Sequence, residues 1–225
     1  MQTRVLSPPE GDGNGGAAPE RAYRLVAIAA SAGGLPVLRE ILGALPPGFA
    51  LPVVVVQHRS VESPEVLPAL LARATPLRVK TAEEGDALAA GTVYVAPVDR
   101  HVVVRPDGTL RLMDGSRIRY VRSSAEPLFQ SAAYALDGRV IAVVLTGGGA
   151  NGSHGVIAVA GTGGVVIVQD PDTAQQSGMP RAALATGVPA RVLPAERIAP
   201  ALLQLASATS PRAAHAALEA APAAA

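Results

Sequence analysis

The chain contains no cysteine and no tryptophan, and aromatic residues make up only 3% of its 225 positions. Without cysteine there are no disulfides, thiolate metal sites or cysteine nucleophiles, and the redox compartment stays open. With so few aromatics there is no base-stacking surface, which argues against single-stranded nucleic acid. An excess of one charge is missing too: 19 basic residues face 18 acidic ones, a net charge of +1. That balance leaves no basic footprint for a phosphate backbone, so no nucleic-acid partner is expected. No apolar run reaches the 18 or more residues needed to span a bilayer, and no direct membrane insertion is expected. The apolar stretch 25–38 follows a polar leader and is broken by glycines, so it reads as a strand running into a helix rather than a secretion signal. Four scattered histidines make no metal-ligand cluster; neither a metal nor an organic cofactor is expected.

What is present is a hydrophobic fraction of 49%, enough for one sizeable core. Residues 1–22 are rich in Gly, Pro and polar groups with no apolar period, and are expected to be a disordered leader. Residues 23–207 form the expected domain, and 208–225 an Ala-rich low-complexity tail. Between the tails the pattern alternates. Strands are expected at 24–30, 52–57, 92–96, 139–145, 164–169 and 191–193. Helices are expected at 36–45, 64–74, 127–136, 151–160, 178–186 and 198–206. Segments 101–105 and 110–113 flank a PDGT turn and read as a hairpin. Continuous Val/Ile runs alternating with helices predict a doubly wound α/β fold. Its sheet is mostly parallel, with helices on both faces and a small antiparallel hairpin. Ligands in such sheets bind at the carboxyl ends of the strands.

That rule selects three polar residues. Ser31 follows the first strand in the glycine-rich turn SAGG; His58 ends the second; Asn151 lies just past the strand 139–145. They have the chemistry of a nucleophile, a general base and an orienting group. An imidazole titrates near neutral pH and takes a serine proton from hydrogen-bond reach. Backbone N–H groups beside Ser31, in the turn that includes Ala32 and Gly33, suit an oxyanion, and the glycines 147–149 offer another donor. Plainer readings stand beside these. Ser31 is a helix cap, His58 a structural histidine, and SAGG a phosphate cradle, although the G-x-G-x-x-G fingerprint is absent. His101 reads as part of a hairpin edge, His154 as a solvated neighbour and Met179 as core. Arg59 and Arg100 are either solvated or in contact with an acidic partner.

Six segments occur in order: AIAASAGGLPVLREILGALPPGF, PVVVVQH, VYVAPVDRHV, SSAEPLFQSAA, IAVVLTGGGANGSHG and GGVVIVQDPDTAQQSGMPRAAL. Together they resemble the catalytic domain of the CheB family, the chemotaxis protein-glutamate methylesterases, over about residues 24–206. The resemblance implies serine-type hydrolysis of glutamate methyl esters on the cytoplasmic helices of methyl-accepting chemoreceptors; with no spanning run and no secretion signal read, a cytoplasmic protein is the default expectation. It implies Ser31 as nucleophile and His58 as base. The third member of the family's site is the Asp of a G-M-G-x-D-G motif, which here reads Gly147-Gly148-Gly149-Ala150-Asn151-Gly152. Asn151 therefore stands where the family has aspartate, Gly148 where it has Met, Ala32 where Thr is common and Glu126 where Asp is usual.

An asparagine accepts through its carbonyl or donates through its amide, and it carries no charge. In a serine protease the corresponding change costs about 10⁴ in turnover. Three alternatives follow: a weak esterase, a receptor-binding module without turnover, or conversion of Asn151 to Asp by deamidation at Asn151-Gly152. His154 and Asp170 are substitute orienters to be weighed. The family's amino-terminal receiver domain does not fit in the residues before the first strand. That leaves constitutive action, or control by a separate response-regulator partner.

Overall fold

The computed structural model describes residues 23–59, 65–114 and 123–208. The leader 1–22 and all but the first residue of the tail lie outside them. Seven parallel strands form one sheet: β1 Leu25–Ala30, β2 Val53–Gln57, β3 Arg78–Thr81, β4 Thr92–Val95, β7 Val140–Val144, β8 Val165–Gln169 and β9 Arg191–Leu193. Their order is β3-β4-β2-β1-β7-β8-β9. Strands β5 Arg100–Val104 and β6 Leu110–Asp114 pair antiparallel as the expected hairpin. The helices are α1 Gly34–Gly43, α2 Leu67–Ala72, α3 Ala125–Ala135, α4 Gly155–Gly161, α5 Gly178–Leu184 and α6 Ala195–Ser207.

The central strands are apolar on both faces because both faces are covered. Along β1, Val26, Ile28 and Ala30 pack with Leu38, Ile41 and Leu42 of α1 and Leu202 and Leu205 of α6. Leu25, Ala27 and Ala29 face the other way, toward Leu128, Phe129 and Ala132 of α3 and Val156 and Val159 of α4. Side chains alternate across the pleat, so one strand supplies both cores. Fully burying each such aliphatic side chain contributes about 1.5–3 kcal/mol.

One strand is unexpected, and one expected helix needs correction. Strand β3, with the sequence RVKT, does not stand out in the sequence. It is an edge strand paired only with β4, so its side chains remain partly exposed and its apolar signal is weak. The helix expected at 151–160 begins only at Gly155; residues 151–154 form a turn, which leaves Asn151 on a loop.

Chain connections move outward on one side through β2 and β4, and on the other through β8 and β9. The reversal lies between β1 and β7, which pair directly. Their carboxyl ends release Ser31 and Thr146 into the same crevice, the topological switch point of the fold.

Candidate active site

Ser31 leaves β1 with its N–H on the carbonyl of Thr146, 3.0 Å away, so the end of β7 holds the start of the loop. Its own carbonyl accepts from the N–H of Gly34 at 2.9 Å and from Nε2 of Gln57 at 2.6 Å. The turn between them needs a left-handed residue, and Gly33 supplies it with φ 79°. Gly33 is the N-cap of α1, with no side-chain cap. The capping reading of Ser31 therefore gives way. Its hydroxyl instead lies 3.3 Å from Nδ1 of His58.

His58 is held at the end of β2 by its N–H, which donates to the carbonyl of Ala30 at 2.8 Å. Partial burial pulls its pKa below the ordinary histidine value, because loss of water disfavours the cation. The shift favours the neutral imidazole, the state a base requires.

Asn151 is buried. Its Oδ1 accepts from the N–H of Ala125 at 2.8 Å and from the hydroxyl of Ser124 at 3.0 Å. A backbone N–H can only donate, so the atom facing Ala125 must be the amide oxygen. That leaves Nδ2 as the free arm, buried and without a hydrogen-bond partner. Oδ1 thus caps the first turn of α3, and Asn151 and His58 share no hydrogen bond.

Sequence reading missed much of the frame around these groups. Thr146 is fully buried. Its hydroxyl lies 3.0 Å from the carbonyl of Ala32 and accepts the N–H of Gln176 at 2.9 Å. It ties the serine loop to the loop before α5. His101 lies on the hairpin as expected but is buried, and its Nδ1 accepts the N–H of Ser124 at 3.1 Å. The buried carboxylate of Glu126 accepts from the N–H groups of Gly152 at 3.0 Å, His154 at 3.3 Å and Gly155, closing the turn that carries Asn151. The available signal was a polar residue ending or following a buried run, as with Gln57 and Thr146. Nothing local says which strand end each would meet.

The substitute orienters sit elsewhere. His154 is exposed in the turn before α4, with Ser153 Oγ 3.4 Å from its Nδ1. Asp170 turns the chain after β8, its carboxylate accepting the N–H of Asp172 at 2.9 Å. Met179 is core as expected, and its Sδ fills the space a side chain at Gly147 would need. Gly148 and Gly149 are exposed, with open space where a Cβ would stand.

The donors for an oxyanion can be counted. The N–H groups of Ser31, Gly34 and Gly147 are spent on the carbonyls of Thr146, Ser31 and Gln176. Those of Ala32, Gly33 and Gly148 have no acceptor among the described residues. Among the described residues, no group of three or more His, Cys, Asp or Glu could hold a metal. No helix among the described residues is long and apolar enough to cross a membrane.

Ser31 Oγ and His58 Nδ1 thus meet at the switch point of a parallel sheet, and the chain's likeness to known proteins is specific. The CheB methylesterase family model matches residues 26–202. The chain belongs to the CheB methylesterase family. It is 41% identical over 188 residues to protein-glutamate methylesterase FrzG of Myxococcus xanthus, a match covering 84% of this chain and 56% of FrzG. It is 34% identical to a putative protein-glutamate methylesterase/protein-glutamine glutaminase of Leptospira interrogans, covering 81% of this chain and 95% of that one. The crystal structure of the Thermotoga maritima CheB methylesterase catalytic domain superimposes with TM-score 0.77 at 34% identity, over 82% of this chain and 99% of that one. The chain thus spans little more than half the length of FrzG and nearly all of the Thermotoga CheB domain. It carries a CheB methylesterase domain, a class of carboxylic ester hydrolase, with the expected doubly wound fold.

Proposed function

We propose that this chain hydrolyses glutamate γ-methyl esters on the cytoplasmic helices of chemoreceptors, with Ser31 as nucleophile and His58 as base, at a rate limited by Asn151. The approach of Ser31 Oγ to His58 Nδ1 at the switch point carries this reading. Ser31 Oγ attacks the ester carbonyl carbon while its proton passes to Nδ1. The oxyanion is met by N–H donors of Ala32, Gly33 and Gly148. Collapse breaks the carbon–oxygen bond, and methanol leaves with the proton from His58. Water, deprotonated by the same nitrogen, then releases the glutamate from Ser31.

For Nδ1 to accept a proton, the other ring nitrogen must carry one. An aspartate would accept that N–H and stabilise the imidazolium. Asn151 has its oxygen committed to α3, so the arm left over is a donor without charge. This supports an impaired esterase, and it favours one alternative: a receptor-binding module with little or no turnover.

Methanol release from methylated receptor separates the two. Release by the wild type that disappears in Ser31→Ala and rises in Asn151→Asp supports the impaired esterase. Release only from Asn151→Asp supports the silent module. Undiminished release from Ser31→Ala rejects the serine mechanism.

A further inference from the structure

We propose that Arg59 is a specificity-determining residue of this site, receiving an acidic side chain of the substrate helix about one turn from the ester. The proposal rests on the reading of Ser31 and His58 as the reacting pair.

Arg59 directly follows His58, where the chain leaves the end of β2. In the sheet order β4-β2-β1, Ser31 lies on one side of this position and Val98, just past β4, on the other. The guanidinium is half-buried, and its Nε and Nη1 are buried without a hydrogen-bond partner. Burial pulls its pKa below the ordinary arginine value, while the nearby charge of Glu65 partly offsets this. The Glu65 carboxylate lies 3.4 Å from the N–H of Val98 and forms no ion pair with Arg59. Three other arginines are ion-paired instead. Arg100 pairs with Asp114 at 3.0 Å, Arg181 with Asp172 at 3.3 Å and Arg105 with Glu84.

A guanidinium stays charged, and its planar fork of N–H donors matches a carboxylate. Leaving such donors buried and unpaired is costly, and a carboxylate arriving with the substrate at the exposed part of the half-buried guanidinium offsets part of that cost through its charge. The spacing is suitable. Neighbouring strands lie about 4.8 Å apart, and helix residues three or four apart have Cβ atoms about 5–6 Å apart. A helix lying across the strand ends with its ester over Ser31 therefore brings a residue one turn away toward Arg59.

The test uses the full chain and two helical peptides, each with one γ-methyl glutamate. One carries Glu four residues to either side of the ester; the other carries Gln there. The wild type should prefer the acidic peptide by about tenfold in kcat/KM, the size of one charge-assisted hydrogen bond. The preference should lie mainly in KM and shrink with added salt. Arg59→Gln should abolish it, and Arg59→Lys should keep part of it, with melting temperatures verifying both folds. Equal losses on the two peptides, or no preference in the wild type, would overturn the proposal. If the wild type cleaves neither peptide, the hydrolytic reading fails separately. Peptide binding then decides on Arg59: a charge preference lost in Arg59→Gln supports it, and none overturns it.

Discussion

The carboxamide oxygen of Asn151 accepts the backbone N–H of Ala125 at 2.8 Å. That contact decides what an asparagine can do at this position. The oxygen that might have imitated aspartate is held by the first turn of α3. The arm it leaves over is an amide nitrogen with no acceptor. A carboxylate in the same place would keep the α3 contact with one oxygen and offer the other as an acceptor.

Asn151→Asp should therefore raise the rate of methanol release, by up to about 10⁴ if the serine-protease comparison transfers. Steady-state kinetics at saturating peptide ester would measure it, and an unchanged kcat would remove Asn151 from the orienting role. Asn151→Ala should cost about 1–3 kcal/mol in urea unfolding, because the N–H of Ala125 and the hydroxyl of Ser124 lose their acceptor. Deamidation should be slow in the folded chain, since the N–H of Gly152 is held by Glu126. A peptide mass map showing Asp or isoaspartate at 151 in freshly purified protein would contradict this.

The pH profile follows from His58, whose pKa is lowered from 6.5 by burial. In the proposed mechanism its neutral form is the base, so kcat/KM should hold as pH falls past 6.5 and drop only at lower pH. The sign for stability is the same. The unfolded histidine binds its proton at higher pH than the folded one, so this group's contribution weakens as pH falls from its unfolded pKa through its depressed folded one. An acid limb centred above 6.5 would contradict the assignment.

Two adjacent glycines should respond differently. A Cβ at Gly147 would lie 2.1 Å from Met179 Sδ and 2.9 Å from Ser31 Cβ. Gly147→Ala should displace Ser31, the proposed nucleophile, and lower both activity and melting temperature. At Gly148 no atom lies within 4 Å of the added carbon, so Gly148→Ala should leave the melting temperature nearly unchanged. Thermal melts of the two variants check this, and equal losses would mean that the close contact at Gly147 is not limiting.

Thr146→Val removes the hydroxyl that joins the serine loop to the loop before α5 while nearly keeping the shape. The N–H of Gln176 and the carbonyl of Ala32 lose a partner, at a cost of about 1–3 kcal/mol. As a positioning residue, Thr146 should affect kcat more than KM, while the acid limb set by His58 stays in place. An unchanged kcat would confine its role to stability.

The sequence by itself determined the fold class. Apolar runs such as 52–57 and 139–145 have no solvated face, so they must be covered on both sides, and short helices between them require parallel pairing. It also determined that Ser31, His58 and Asn151 would leave strand ends on one edge, because parallel strands share a direction. Only the tertiary structure decided their partners. Hydrogen bonds such as Asn151 to Ala125 and Thr146 to Ala32 join residues 26 and 114 positions apart, and no local pattern encodes such a pairing. The same holds for Arg59: its sequence neighbours mark it as a charge beside His58, but which buried N–H groups lack an acceptor depends on how the whole edge packs.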